Sequence, residues 1–150
     1  METTKPLVRS ILVPIDGSRT ALNAARFAIR VAQTYLAELR FIYVVDSRSI
    51  SKAARLSERT EESLRRELKT KGERYLKYAE KLAADAGQNA VVVLREGVPQ
   101  KEITGEARMQ SSDLIVIGRV GQRGPRRILI GSVAERVIEY APCPVLVVQR

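Results

Sequence analysis

The residues best suited to do chemistry in this chain are Gly118-Arg119-Val120-Gly121, followed after nine residues by Gly131-Ser132. They open where the apolar run Leu114-Ile115-Val116-Ile117 ends. They lead into Val133-Ala134-Glu135-Arg136-Val137-Ile138, whose apolar positions recur at helical spacing. A strand, a glycine-bearing loop and a helix start, in that order, suit a phosphate group. Glycine lets a backbone approach a ligand closely and adopt positive φ. A helix N-terminus adds unpaired N–H groups and a partial positive charge. No acidic residue lies between Asp113 and Glu135, but Arg119, Arg123, Arg126 and Arg127 do. The expected guest is an anion, with one or two guanidiniums reaching its oxygens; Arg119 and Arg127 are the candidates. Solvated loop charges are the competing reading of the same arginines.

A second constellation, Pro14-Ile15-Asp16-Gly17-Ser18, closes the first apolar run. Asp-Gly-Ser tracts make turns and cap helices, so Asp16 has a structural reading beside a ligand-binding one. Gly118 alone could serve only to turn a strand. The three spaced glycines with Ser132 argue for more, and Ser132 as a helix N-cap is compatible with holding a ligand.

These residues need elements to position them, and the chain alternates apolar runs with helical patterns. Strands are expected at 8–15, 39–45, 90–94, 114–117 and 145–148. A helix capped by Ser18 carries Ala21, Leu22, Ala25, Ala28, Ile29 and Ala32 on one stripe. One long, charge-rich helix is expected from about 51 to 86, with pairs such as Glu62/Arg66 in the favourable order and Gly87 as its stop. Residues 46–57 read as the most flexible piece. Pro99 opens a short helix through Ile103 and Ala107, and the last helix spans 132–140. Strands separated by helices imply βαβ units, right-handed crossovers and a buried parallel sheet.

Bulk properties narrow the classes. A length of 150 residues fits one domain, 1–150. The lone Cys143 has no partner for an internal disulfide, so a reducing, cytoplasmic setting is expected. No apolar run approaches the roughly 20 residues that span a bilayer. The absence of histidine rules out histidine-based catalytic triads. A net charge of +9 admits anionic partners, nucleic acid among them. Aromatic content of 5% without tryptophan leaves few stacking platforms, which argues against nucleic acid. The dinucleotide fingerprint G-x-G-x-x-G is missing after the first strand, and G-x-x-x-x-G-K-[ST] is missing throughout.

Gly118, Gly121, Gly131 and Ser132 match G-x2-G-x9-G-[ST] without a gap, and here the chain resembles the universal stress proteins, specifically their ATP-binding branch. Ile11 to Ser18 is similar to the family's opening strand and aspartate, Tyr43 to Asp46 to the end of its second strand, and Pro142 to Val148 to its closing strand. The resemblance covers essentially the whole chain. It implies a single open, Rossmann-like five-stranded parallel α/β sheet ordered 3-2-1-4-5, with helices on both faces. It also implies bound ATP, with Mg²⁺ held through the phosphates. Asp16 and Pro14 would sit at the adenosine end, and Val44 would meet the adenine edge through its backbone. Ile117, Gly118, Gly121, Gly131, Ser132 and Val133 would surround the ribose and phosphates.

By the same resemblance the strand Val145 to Val148 lies at a sheet edge. Its lack of charge predicts a homodimer in which it pairs antiparallel with its copy. Nothing in the chain pairs a nucleophile with a base, so the expectation is a nucleotide sensor or regulatory module in stress response. A slow ATPase is one alternative; a basic partner-binding or nucleic-acid-binding protein with a vestigial pocket is another. Related adenylating enzymes of similar fold carry histidine-bearing or Ser-Gly-Gly signatures near the first strand, and this chain has neither. The glycine motif does not count phosphates, which leaves AMP or a cyclic nucleotide as further guests.

Overall fold

Alternation along the strands sets the architecture. In β1 (Ser10–Pro14), Ile11 and Val13 point into one core cluster and Leu12 into another. β2 (Glu38–Asp46) repeats this, with Leu39, Phe41, Tyr43 and Val45 on the first face and Ile42 on the second. β4 (Leu114–Gly118) sends Val116 one way and Ile115 and Ile117 the other. Such period-two alternation of apolar residues on both faces is what a sheet covered on both sides requires. Each fully buried Leu or Ile contributes roughly 1.5–3 kcal/mol of transfer free energy.

With β3 (Ala90–Gly97) and β5 (Val145–Val148) the strands form one parallel sheet in the order β3-β2-β1-β4-β5. That is the expected Rossmann-like order. The computed structural model describes residues 4–121 and 129–150; Arg123, Arg126 and Arg127 lie outside the described residues.

One face carries α1 (Arg19–Tyr35), α2 (Ser47–Leu56) and α3 (Glu61–Asp85), through Ala24, Ala28, Ile50, Leu76 and Ala79. The other carries α4 (Pro99–Met109) and α5 (Ser132–Tyr140), through Ile103, Ala107, Ala134 and Val137. Ser18 caps α1, its side chain accepting from the Ala21 N–H at 3.1 Å. Gly87 ends the α3 region with φ +77°, and Pro99 occupies the first turn of α4. Glu106 anchors α4 to the sheet. Its buried carboxylate accepts from Arg40 of β2 at 3.4 Å and from Arg95 of β3 at 3.2 Å.

Two expected element boundaries need correction, and one expected loop region holds a helix. Residues 46–57, expected as the most flexible piece, contain α2. Asp46 caps α2 by accepting the Arg48 N–H at 3.0 Å, and buried Ile50 pins that helix to the core. The long helix from 51 to 86 is instead two helices, broken before Thr60. The Thr60 hydroxyl accepts the Ser63 N–H at 3.1 Å, and Glu61 and Glu62 complement the dipole of the new first turn. The expected Glu62–Arg66 pair does form on α3, at 3.3 Å. The first strand is shorter than 8–15, since Pro14 ends it, although the Ile15 N–H still donates to the Ile42 carbonyl at 2.8 Å. No described helix is long and apolar enough to cross a membrane.

Candidate nucleotide site at the switch point

β1 is flanked by β2 on one side and β4 on the other, and the chain leaves β1 toward one face and β4 toward the opposite face. Loops that diverge in this way leave a crevice beyond the carboxyl ends of the strands, where ligands bind in open α/β sheets. Both constellations from the sequence end here.

The β1–α1 turn is tightly specified. Asp16 Oδ1 accepts the Ser18 N–H at 2.9 Å, forming an Asx turn. Gly17 takes φ +83°, and a Cβ there would collide with the Tyr75 ring of α3. The structural role foreseen for Asp16 is therefore real. It does not exhaust the residue, because a Cβ on Gly121 would lie 3.0 Å from Asp16 Oδ2. The carboxylate and the second motif glycine face each other.

The β4 loop is closed by its own backbone. The Gly131 N–H donates to the Arg119 carbonyl at 2.7 Å, and the Arg119 N–H donates to the Val148 carbonyl at 2.9 Å. Arg119 Nη1 also donates to the Leu129 carbonyl at 3.1 Å, so this guanidinium braces the loop base. A Cβ on Gly131 would fall 3.2–3.3 Å from Val120 Cα, Arg119 O and Gly121 N. Thus Gly118, Arg119, Gly121 and Gly131 come together, while Arg127 lies outside the described residues.

Gly131, not Ser132, is the N-cap of α5, with φ −71° and ψ 156°. Gly131 has no side chain with which to cap the helix, whereas Ser18, Asp46 and Thr60 cap theirs. Ser132 is the first helical residue and is exposed. The first turn of α5 thus presents N–H groups and a hydroxyl beside a carboxylate and two glycines. Val44 and Val133 are half-buried against the α4–α5 cluster, and Pro14 is half-buried at the end of β1. The Ile117 side chain is buried in the α4–α5 cluster, and its backbone lies near the end of β4 beside the crevice.

Sequence reasoning missed Thr20. Its hydroxyl donates to the Val120 carbonyl and ties the start of α1 to the glycine loop. A hydroxyl two residues after an N-cap gives no motif signal. Among the described residues, no three His, Cys, Asp or Glu side chains converge to hold a metal ion. The site is marked by converging loops; two other concavities lie between α4 and α5, about 430 Å³, and between α1 and α3, about 600 Å³.

The fold and these loops define a Rossmann-like α/β protein whose glycine loop and aspartate meet at the topological switch point. More particularly, the chain belongs to the universal stress protein family: the sequence model described as "Universal stress protein family" matches residues 8–149. It is 43% identical over 145 residues to Universal stress protein MJ0531 of Methanocaldococcus jannaschii, covering 96% of this chain and 84% of that protein. The solved structure of MJ0577, from the same organism, superposes with a TM-score of 0.83 at 29% identity, covering 96% of this chain and 97% of that one. Two further universal stress protein structures share the fold. One, in complex with cAMP, has a TM-score of 0.72 at 24% identity, covering 95% of this chain and 98% of that one. The other, from Archaeoglobus fulgidus in complex with dAMP, has 0.68 at 22%, covering 95% and 99%.

Proposed function

We propose that this chain is a nucleotide-binding universal stress protein that takes an adenine nucleotide, ATP with Mg²⁺ foremost, at the β1–β4 switch point. The observation that carries the reading is the start of α5. A helix N-terminus without a side-chain cap adjoins Gly121 and Asp16, at a glycine whose Cβ would crowd the loop. Phosphate oxygens are the natural acceptors for those N–H groups. In this reading Ser132 and Gly131 hold phosphate, Arg119 and Arg127 add charge, and Asp16 with Pro14 and Val44 takes the adenosine end. Any Mg²⁺ rides on the phosphates. The adenine-nucleotide complexes of distant fold relatives agree with this choice of ligand. The role is regulatory binding in a one-domain cytoplasmic protein: the chain has no histidine to serve as an imidazole base, and the Ser132 hydroxyl and Asp16 carboxylate are assigned to holding the ligand.

Thermal unfolding of nucleotide-stripped protein with Mg-ATP, ADP, AMP and cyclic nucleotides tests it. A ligand at 100 times its dissociation constant stabilises by about 2.7 kcal/mol, a rise of roughly 5–10 °C for a domain this size. The expected result is an ATP shift that Asp16→Ala and Gly131→Val abolish. No shift with any adenine nucleotide overturns the reading.

A further inference from the structure

A second concavity lies between α1 and α3. Arg19, Leu22, Asn23 and Arg26 fall on one face of α1, and Tyr75 and Tyr78 on the facing stripe of α3. The cleft measures about 600 Å³, within the range of small-molecule sites. It opens on the α1–α3 face of the sheet, whereas Val44 and Val133 belong to the α4–α5 face. The two sites are therefore distinct, although the cleft abuts the Gly17–Ser18 turn.

Its charge is one-sided. No carboxylate lines it. Arg40, Arg48, Arg65 and Arg95 all sit on carboxylates, whereas the exposed Arg19 and Arg26, like Arg30, Arg55 and Arg74 elsewhere on the surface, form no ion pair among the described residues. Its aromatic wall is fixed in place. The Tyr75 ring abuts Gly17 and lies 6.0 Å from the buried Tyr43 ring, tilted by 42°. A ring already held in position loses little freedom on binding. Tyr78 is 50% exposed and has ring surface to cover. Guanidiniums that stack on flat groups and pair with anions, set opposite tyrosine rings, select one chemical class.

We propose that the α1–α3 cleft is a second binding site, for a small planar aromatic anion such as an aromatic carboxylate or sulfonate.

The probe is 8-anilinonaphthalene-1-sulfonate, titrated into the full chain with fluorescence as readout. One saturable site per chain is expected. Arg26→Glu and Tyr78→Ala change exposed residues, so their unfolding midpoints should match the parent. Each should weaken the probe by about tenfold or more, as loss of a charge-assisted contact or a stacking partner does. The neutral N-phenyl-1-naphthylamine should bind far more weakly, and saturating Mg-ATP should leave the titration unchanged. Absence of saturable binding overturns the proposal. So does equal affinity in both variants, equal affinity for the neutral probe, or displacement by ATP, which would place the probe at the switch point. ATP affinity is measured separately in the same variants and should not change, so failure of this site and failure of the nucleotide site read out independently.

Discussion

Gly118 and Thr20 meet across the switch point: a Cβ on the glycine would lie 2.7 Å from both the carbonyl carbon and the hydroxyl of the threonine. It would also lie 2.8 Å from the Ala21 N. The first turn of α1 therefore rests directly on the end of β4, and only a hydrogen fits between them. Gly118→Ala should destabilise the fold by about 1–3 kcal/mol, because backbone and not a flexible side chain must yield. Thr20→Val should cost about 1 kcal/mol by leaving the Val120 carbonyl without its donor. Urea midpoints measure both. An unchanged midpoint in Gly118→Ala would sink the close-fit account.

Leu36 ends α1 in the left-handed region at φ +55°, with its side chain 91% exposed. It buries almost nothing that its removal would lose. Leu36→Gly should therefore stabilise by about 0.5–1 kcal/mol, since glycine accepts that conformation without a Cβ penalty. A rise of a few degrees in Tm is the expected reading.

Asp46 combines a cap with an ion pair. Partial burial pushes its carboxyl upward, but the Arg48 guanidinium and backbone N–H and the Ser49 N–H outweigh this and hold it below the ordinary 3.8. A depressed carboxyl stabilises the fold above its unfolded value, and the contribution fades as pH falls through the folded one. Asp46→Asn keeps a capping oxygen and removes the charge. At pH 7 it should cost no more than about 1 kcal/mol, because solvent screens this half-open pair. The gap between parent and variant should close as pH drops below 3.8. Denaturant midpoints at neutral and acid pH would show it.

β5 is the outer strand beside β4, and Val145 to Val148 carry no charge to block an approaching strand. We propose antiparallel pairing of β5 with its copy in a homodimer. Sedimentation at tens of micromolar should find two chains together, and Val147→Lys should shift them toward one. The opposite edge, β3, exposes Val91 and Val92. Val91→Lys should leave the association intact, and if it dissociates the dimer instead, the wrong edge has been chosen.

The sheet was legible in the sequence because its strands are short apolar runs on both faces, bounded by turns and helical stripes. The family resemblance supplied the strand order, and pairing across β1 and β4 bears it out. The region from Asp46 to Thr60 was harder to read. Only Ile50 of α2 is buried, so periodicity gave it little signal. Its capping residue was hidden at the end of a strand. Thr60 followed by two glutamates was a readable helix start, obscured by the charge pattern on either side. At the site, glycine spacing located the loop, but it could not distinguish Ser132 from Gly131 as the cap. Nor could spacing show that Tyr75 and Tyr43 occupy the room left by Gly17 and Gly72, since both contacts join residues far apart in the chain.

The hydrogen bond from Gly131 to Arg119 has a mechanical corollary. It clasps the end of β4 to the start of α5, so the distance between the two is set by one backbone bond and not by the chain that joins them. Closing a longer connection costs only about 0.6 kcal/mol for each doubling of its length. The register of the crevice is therefore a property of the clasp, and it persists as long as that bond does.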